Sequence, residues 1–394
     1  MALTQRQPDI SYHPDFEKYQ LRTERLQPQR PVNPSLPIGF PAQLTGALVW
    51  EGKDFTDENQ WTLSLTDSQL QEIHEALLQF KSQGKPIGYV NQDTFLLPEL
   101  GPILRQEARA LQAGPGFFVL RGLLVDRYSR EENIIIYAGV SSYIGSIRGR
   151  QGRATVDGVS KSTMLNHIKD LSQTAVAKNI GAPAYTTDKQ VFHTDAGDIV
   201  SLFSLNTAAQ GGESKLASSW RVYNEIARTR PDVIKTLAED WAFDGQVRVQ
   251  ITEIDLELIF VATVMPKNLQ YARRGFTGFL HLPRSKDIPP ITEAQAEALD
   301  ALHFLAEKFS LTLDFQKGDV QYVNNLSIFH ARDAFVDTPG QERHLLRLWL
   351  RDPELAWETP AALQPRWDEL YKDITEDDQV FPLEPYIREG AGKA

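Results

Sequence analysis

Apolar and polar positions divide the chain into an irregular start and a patterned body. Residues 1–48 carry proline every few positions, at Pro28, Pro31, Pro34, Pro37 and Pro41. They read as an extended arm lying on one catalytic domain formed by residues 49–394. Thr66 and Gln69 have capping-box spacing, and Leu70, Ile73, Leu77 and Phe80 mark one face of the helix that follows. The run FFVLRGLLV at 117–125, after Gly114-Pro115-Gly116, reads as a buried strand. Residues 139–158 are broken by glycine, carry Arg148, Arg150 and Arg153, and read as a mobile loop.

Further along, IVSLFSL at 199–205 reads as a strand and Gly211-Gly212 as a turn. Residues 220–228 and 231–238 read as helices, the second opened by Pro231-Asp232. Residues 246–265 alternate as strands do. Residues 292–309 form an amphipathic helix, with a capping box at Thr292 and Gln295 and a stripe of Leu299, Leu302, Leu305 and Phe309. Two more strand candidates lie at 320–330 and 343–351. Regular βαβ alternation is lacking, as are GxGxxG after a strand, GxxxxGK[ST] and GxSxG. These absences argue against a Rossmann nucleotide site, a P-loop and a hydrolase nucleophile elbow.

Composition narrows the chemistry. The 394 residues include no cysteine and eight histidines. Disulfides, thiolate zinc sites, iron–sulfur clusters and cysteine nucleophiles are thereby excluded. A metal would need histidine, carboxylate, carbonyl or water. With 41 basic and 52 acidic side chains the net charge is −11, which disfavours nucleic acid and anionic lipid as partners. No apolar run is long enough to span a membrane, and the polar start MALTQRQPDISYHPDFEKYQ does not read as a secretory signal. The expectation is a cytoplasmic protein with a small-molecule substrate, no nucleic-acid or membrane partner, and room for a homo-oligomer.

The informative residues are histidines. His193 and Asp195 have His-x-Asp spacing, which on a strand turns both side chains to one face. His330 ends the run GDVQYVNNLSIFH. Two histidines and one carboxylate make the facial triad of non-haem Fe(II), which leaves coordination positions open. Arg343 and Arg347 follow, four apart and on one strand face. Arginine forks there suit a dicarboxylate with one end on the metal. Arg343 has a simpler alternative, a bridge to Asp333 or Asp337.

The segments FHTDAGDI (192–199), GGESKLASS (211–219), VYNEI (222–226), NNLSIFHARDAF (324–335), RHLLRLWLRD (343–352) and GFFVLRGL (116–123) resemble the taurine dioxygenase/TfdA family, in its fungal branch. The resemblance runs from roughly 100 to 357. It implies an α+β fold with a double-stranded β-helix core, a jelly roll of the cupin type, with flanking and inserted helices. It implies Fe(II) on His193, Asp195 and His330, with 2-oxoglutarate and O₂ as cosubstrates. Arg347 would hold the distal carboxylate of 2-oxoglutarate, helped by Ser214, and Arg343 would lie near the metal-bound end. The family has threonine in its best-known members where this chain has Ser214, which keeps the hydroxyl.

Substrate contacts are sought at His167 and at Arg273-Arg274, and Arg148, Arg150 and Arg153 could also meet an anion. His344 is expected to point outward, and His13, His74, His281 and His303 to be peripheral. Asn324 and Asn325 would fix a turn or support the ligands. The expected reaction is oxidation of an unactivated C–H bond in a small anionic or zwitterionic compound, preferably amino-acid-derived. Hydroxylation, desaturation or ring closure are the outcomes, with release of succinate and CO₂. The alternatives are a taurine or sulfonate dioxygenase and a non-oxidative cupin-type metal enzyme.

Overall fold

The computed structural model describes residues 6–32, 34–239, 241 and 271–388. The strands expected at 246–265 lie outside the described residues. In chain order the elements used below begin with α1 (Phe16–Leu26), α2 (Asp67–Ser82), α3 (Leu100–Ala113), β1 (Phe117–Arg121) and α4 (Arg130–Ser142). Then come β2 (Asn166–Lys169), β3 (Gln190–His193), β4 (Ile199–Asn206), β5 (Ser214–Ser218), α5 (Ser219–Thr229) and α6 (Pro231–Leu237). Last are α7 (Glu293–Phe309), β6 (Leu311–Leu313), β7 (Val320–Asn324), β8 (Ile328–Arg332) and β9 (His344–Arg351).

Two sheets face each other. The larger orders Thr62–Ser64, β1, β7, β4, β9 and Ile147–Arg148, with β2 also paired to β9. The smaller orders β6, β5, β8 and β3. Strand alternation sorts their residues into faces. Phe118, Leu120, Phe203, Tyr322, Leu346 and Leu348 turn outward onto α2, α3 and α4. Phe117, Val119 and Val323 turn inward to meet Leu216, Leu313 and Ile328 of the smaller sheet. That sheet's own outer face, with Phe192, Ala217, Phe329 and Ala331, packs on α5, α6 and α7. This is the jelly-roll core with helices on both flanks.

The capping boxes behave as their spacing predicts. Thr66 and Gln69 open α2, and Thr292 and Gln295 open α7, each with both reciprocal bonds. Several expectations need correction. The first 48 residues are not extended throughout, because Asp15 caps α1 and Arg22 reaches Asp300 of α7 at 2.5 Å. Helix α4 carries no apolar stripe, since Asn133 to Ser142 are all buried, although Ser129 and Glu132 do form its capping box. Residues 139–158 are not a loop: α4 ends there and Gly152–Val156 pairs with Val159–Thr163. Arg148 is buried, donating to the carbonyls of Gly88 and Val90, and Arg150 bonds Ser162 and the carbonyl of Glu369. The stretch 320–330 is two strands, broken by a turn at 325–327.

His303 is not peripheral. It is buried on α7 beside Phe192, and its Nδ1 has no partner. Burial, reinforced by the positive charge of Arg273, pushes its imidazole down to about 3. The unfolded value is about 6.5, so the folded state favours neutral histidine. Its contribution is therefore complete above pH ~6.5 and is lost as pH falls toward 3. We expect denaturant-midpoint curves of His303→Leu to lose stability less steeply below pH ~6.5 than the wild type, by up to ~1 kcal/mol per pH unit. Parallel curves would contradict the assignment.

Candidate metal centre

β3 and β8 pair antiparallel so that His193 faces His330, with ring centroids 4.1 Å apart. Between this pair and the next, Arg332 with Gln190, the register slips. Three residues of β3 span what two of β8 span, which is a bulge in β3. The bulge brings Gln190 and His193 together, with Gln190 Nε2 at 2.9 Å from His193 Nε2. His193 Nδ1 lies 2.9 Å from the carbonyl of Val191. A carbonyl only accepts, so that nitrogen carries the proton and Nε2 presents its lone pair.

Strand β3 ends at His193, so alternation along a strand is not what brings Asp195 in. Asn325 does this instead. Its side-chain oxygen accepts from the Asp195 backbone N–H at 2.8 Å, and its nitrogen donates to the carbonyls of Asp195 and Gly197, each at 2.7 Å. Asp195 Oδ2 accepts from Arg347 Nη1 at 2.8 Å and from Trp349 Nε1 at 3.1 Å. Oδ1 is left 3.8 Å from His193 Nε2. One candidate ligand atom from each of His193, Asp195 and His330 lies within 4.8 Å of the others.

The charge states suit a cation. Burial raises the Asp195 carboxyl, but the adjacent Arg347, with His330, His193 and Arg388, outweighs this and holds it well below the usual carboxylate range. Burial lowers His193, and burial together with His193 pushes His330 down to about 3. Two neutral imidazoles and one carboxylate therefore converge, and His330 Nδ1 is buried without a partner. This donor set fits a divalent first-row metal.

Of the two arginines it is Arg347 that contacts a candidate ligand. Arg347 lies at the metal end, since it bonds Asp195 directly and its Nε donates to Gln151. Arg343 lies four residues back, about 13 Å along an extended strand. It is buried and stacked 5.5 Å from the Phe335 ring, and its backbone N–H donates to Asp337. Among the described residues no carboxylate pairs with its guanidinium; Asp333 pairs with Lys215. Gly212 has a φ of +81°, and a β-carbon there would lie 3.2 Å from Arg343 Cδ, so the glycine turn leaves room for this side chain. Ser214 Oγ donates to Gln321 Oε1 at 2.8 Å, across the two sheets.

Other sequence candidates fall elsewhere. His167 is buried, with Nε2 at 2.8 Å from the carbonyl of Pro382 and Nδ1 at 2.8 Å from His344 Nε2. Both ring nitrogens are thus used inside the protein, and His344 points inward rather than outward. Arg273 is buried against Asp300 at 2.7 Å and donates to the carbonyl of Ser11, so it anchors the N-terminal arm rather than a substrate. Arg274 donates to the carbonyl of Gly181. Sequence reading missed Gln190, Asn166, Trp349 and Arg388. Trp349, two residues after Arg347 on the same strand face, was the legible one.

Residues 82–349 match the model of the family described as taurine catabolism dioxygenase TauD, TfdA family. The chain belongs to that family. It is an Fe(II)/2-oxoglutarate-dependent dioxygenase, using 2-oxoglutarate and O₂ as cosubstrates. This sets aside the non-oxidative alternative. A relative named taurine hydroxylase-like protein SAT17, from Stachybotrys chartarum, is 38% identical over 363 residues, covering 88% of this chain and 90% of its own. FR-33289 synthase from Streptomyces rubellomurinus is 25% identical, covering 82% and 95%. Among solved structures, the non-heme iron oxygenase OrfP with Fe and alpha-ketoglutaric acid aligns with a TM-score of 0.53 at 16% identity, over 74% of this chain and 93% of that one. Asparagine oxygenase aligns at 0.51 and 14% identity, over 74% and 94%. At these identities the structures speak for the shared fold.

Asn325 holds the Asp195 loop by three bonds, so Asn325→Ala should lower Fe(II) affinity about 10- to 100-fold in anaerobic titration. Unchanged affinity would show that Asp195 is positioned by other groups.

Proposed function

We propose that His193, Asp195 and His330 hold Fe(II), and that 2-oxoglutarate lies along β9 with its distal carboxylate on Arg343. The carrying observation is the buried Arg343 guanidinium, which has no carboxylate partner among the described residues, set against an Arg347 already committed to Asp195. A buried cation of this kind calls for an anion. Ser204, which lines the same pocket as Arg343, has a buried Oγ without a partner among the described residues. With iron bound, the cosubstrates supply the oxidising power: 2-oxoglutarate and O₂ give succinate and CO₂, and one oxygen atom is available to the substrate.

The chain's own contributions are then separable. The Val191 carbonyl orients the His193 ring, Asn325 holds the Asp195 backbone, and Arg347 and Trp349 hold its carboxylate so that Oδ1 is left for the metal. The β-sandwich walls keep bulk water from the reacting groups. The substrate in this reading is a small zwitterionic or anionic compound, preferably amino-acid-derived, oxidised at an unactivated C–H bond. A structural neighbour named asparagine oxygenase, and another, OrfP, solved in complex with (3S)-hydroxy-L-Arg, are in keeping with an amino-acid-like substrate. The relative named as taurine hydroxylase-like favours a sulfonate as the second reading.

The test pairs succinate release with mass-spectrometric screening of amino acids and sulfonates. Product gaining one oxygen or losing two hydrogens, matched by succinate, is expected from an amino-acid derivative. Turnover confined to sulfonates would move the assignment to the second reading, and no 2-oxoglutarate consumption would overturn both. In the same assay Arg343→Gln should raise the 2-oxoglutarate KM about 100-fold with a smaller effect on kcat. A larger KM effect in Arg347→Gln would restore the opposite order of the arginines.

A further inference from the structure

β3 is the outermost strand of the smaller sheet, so one row of its backbone groups faces away from β8. Residues from distant parts of the chain meet that row. The Tyr12 hydroxyl accepts from the Val191 N–H at 3.3 Å, and His13 Nε2 lies 3.0 Å from the carbonyl of Lys189. A carbonyl only accepts, so His13 donates. Past the end of the strand, the Thr194 N–H donates to the carbonyl of Tyr271 at 2.7 Å, and the Tyr271 N–H returns to Thr194 Oγ1 at 2.8 Å. Between these contacts Phe192 packs on His303 of α7, with ring centroids 5.8 Å apart. The neighbours of His193 on both sides are thus held from outside the sheet.

The holding elements form one assembly, closed by the N-terminal arm. Tyr12 is buried with Val191 and Phe279, and its ring meets Phe279 edge-on at 4.9 Å. Arg273, two residues past Tyr271, donates to the carbonyl of Ser11 at 2.7 Å and pairs with Asp300 Oδ1 at 2.7 Å. Arg22 of α1 takes Oδ2 of the same carboxylate at 2.5 Å. Arg25 and Arg30 extend the docking to Glu293 and Glu297, each at 2.7 Å. The three acidic residues share one face of α7, so they set where α1 lies along it. Arg22, Arg273 and Asp300 are buried, and removing one partner of such a group strands the others, so the arm is firmly seated. It lies outside the segment that matches the family, which begins at residue 82.

We propose that the N-terminal arm is a brace for the metal centre, and that Tyr12 is a positioning residue for His193. The link is Val191. Its N–H is held by the Tyr12 hydroxyl, and its carbonyl holds His193 Nδ1 and so orients the ring. Metal binding and docking of the arm therefore favour one another. This rests on the metal reading above, and it adds a contribution from a part of the chain that the shared fold does not supply.

The test is an anaerobic titration of the full chain with Co(II), whose visible bands report ligand geometry. Tyr12→Phe keeps the ring and removes the acceptor. It should weaken Co(II) about 3- to 10-fold and shift the bands. His13→Ala, at an exposed position, should weaken Co(II) about 2- to 3-fold, and His13→Gln, which keeps a donor, should restore it. Ile73→Val, a core change on the opposite flank, should lower the urea midpoint yet leave Co(II) affinity and bands at their wild-type values. The proposal is overturned if Tyr12→Phe binds Co(II) like the wild type with unmoved bands. It is also overturned if Ile73→Val weakens Co(II) equally, since the loss would then follow overall stability. Either result leaves the metal reading in place. If the wild type takes up no Co(II), or keeps its bands in His193→Ala, the metal reading itself falls and the proposal falls with it.

Discussion

The antiparallel pairing of β3 with β8 sets His193 opposite His330, and the rest of the site is arranged around that register. What holds the register is the other face of the same two strands. Phe192, Phe329 and Ala331 are buried against the helices of the smaller sheet's flank. A slip of one residue would carry these apolar side chains into the sandwich and the histidines out of it. Burial of an apolar face thus fixes the position of polar ligands on the opposite face, and the bulge in β3 allows Gln190 to share the interior with His193.

Around that pair the polar groups are satisfied in sequence. Asn325 ties the turn after β7 to the loop carrying Asp195, so the third candidate ligand depends on a turn that itself precedes the strand of His330. Arg347 and Trp349 then occupy one oxygen of Asp195 and leave the other turned toward the two histidines. Arg347 lies on β9 beside the candidate ligands, and Arg343, just before the strand, lies remote from them. A dicarboxylate cosubstrate bridging metal and arginine matches that division.

Much of this was legible in the chain. The capping boxes at Thr66 and Thr292, the stripe of α7 and the short apolar run at 117 all report local physics, and each gives the element it predicts. His193, Asp195 and His330 were recognisable as residue types in a familiar order. Their convergence was credited to strand alternation, whereas the strand stops at His193 and a distant asparagine does the positioning. Helix α4 escaped because a helix buried on every side has no stripe. That Arg347 rather than Arg343 bonds Asp195 was not legible, because spacing places both on one face but does not say which end meets the candidate ligands. Arg388, His167 and Arg273 depend on contacts between segments far apart in the chain, which periodicity does not report.

The most direct measurement is an anaerobic titration of the Fe(II)-loaded protein with 2-oxoglutarate, followed by visible absorption. The account predicts a charge-transfer band that saturates at one iron and one 2-oxoglutarate per chain, and that is lost in His330→Ala. Absence of the band in the wild type, or its survival in His330→Ala, would contradict the assignment of the metal centre.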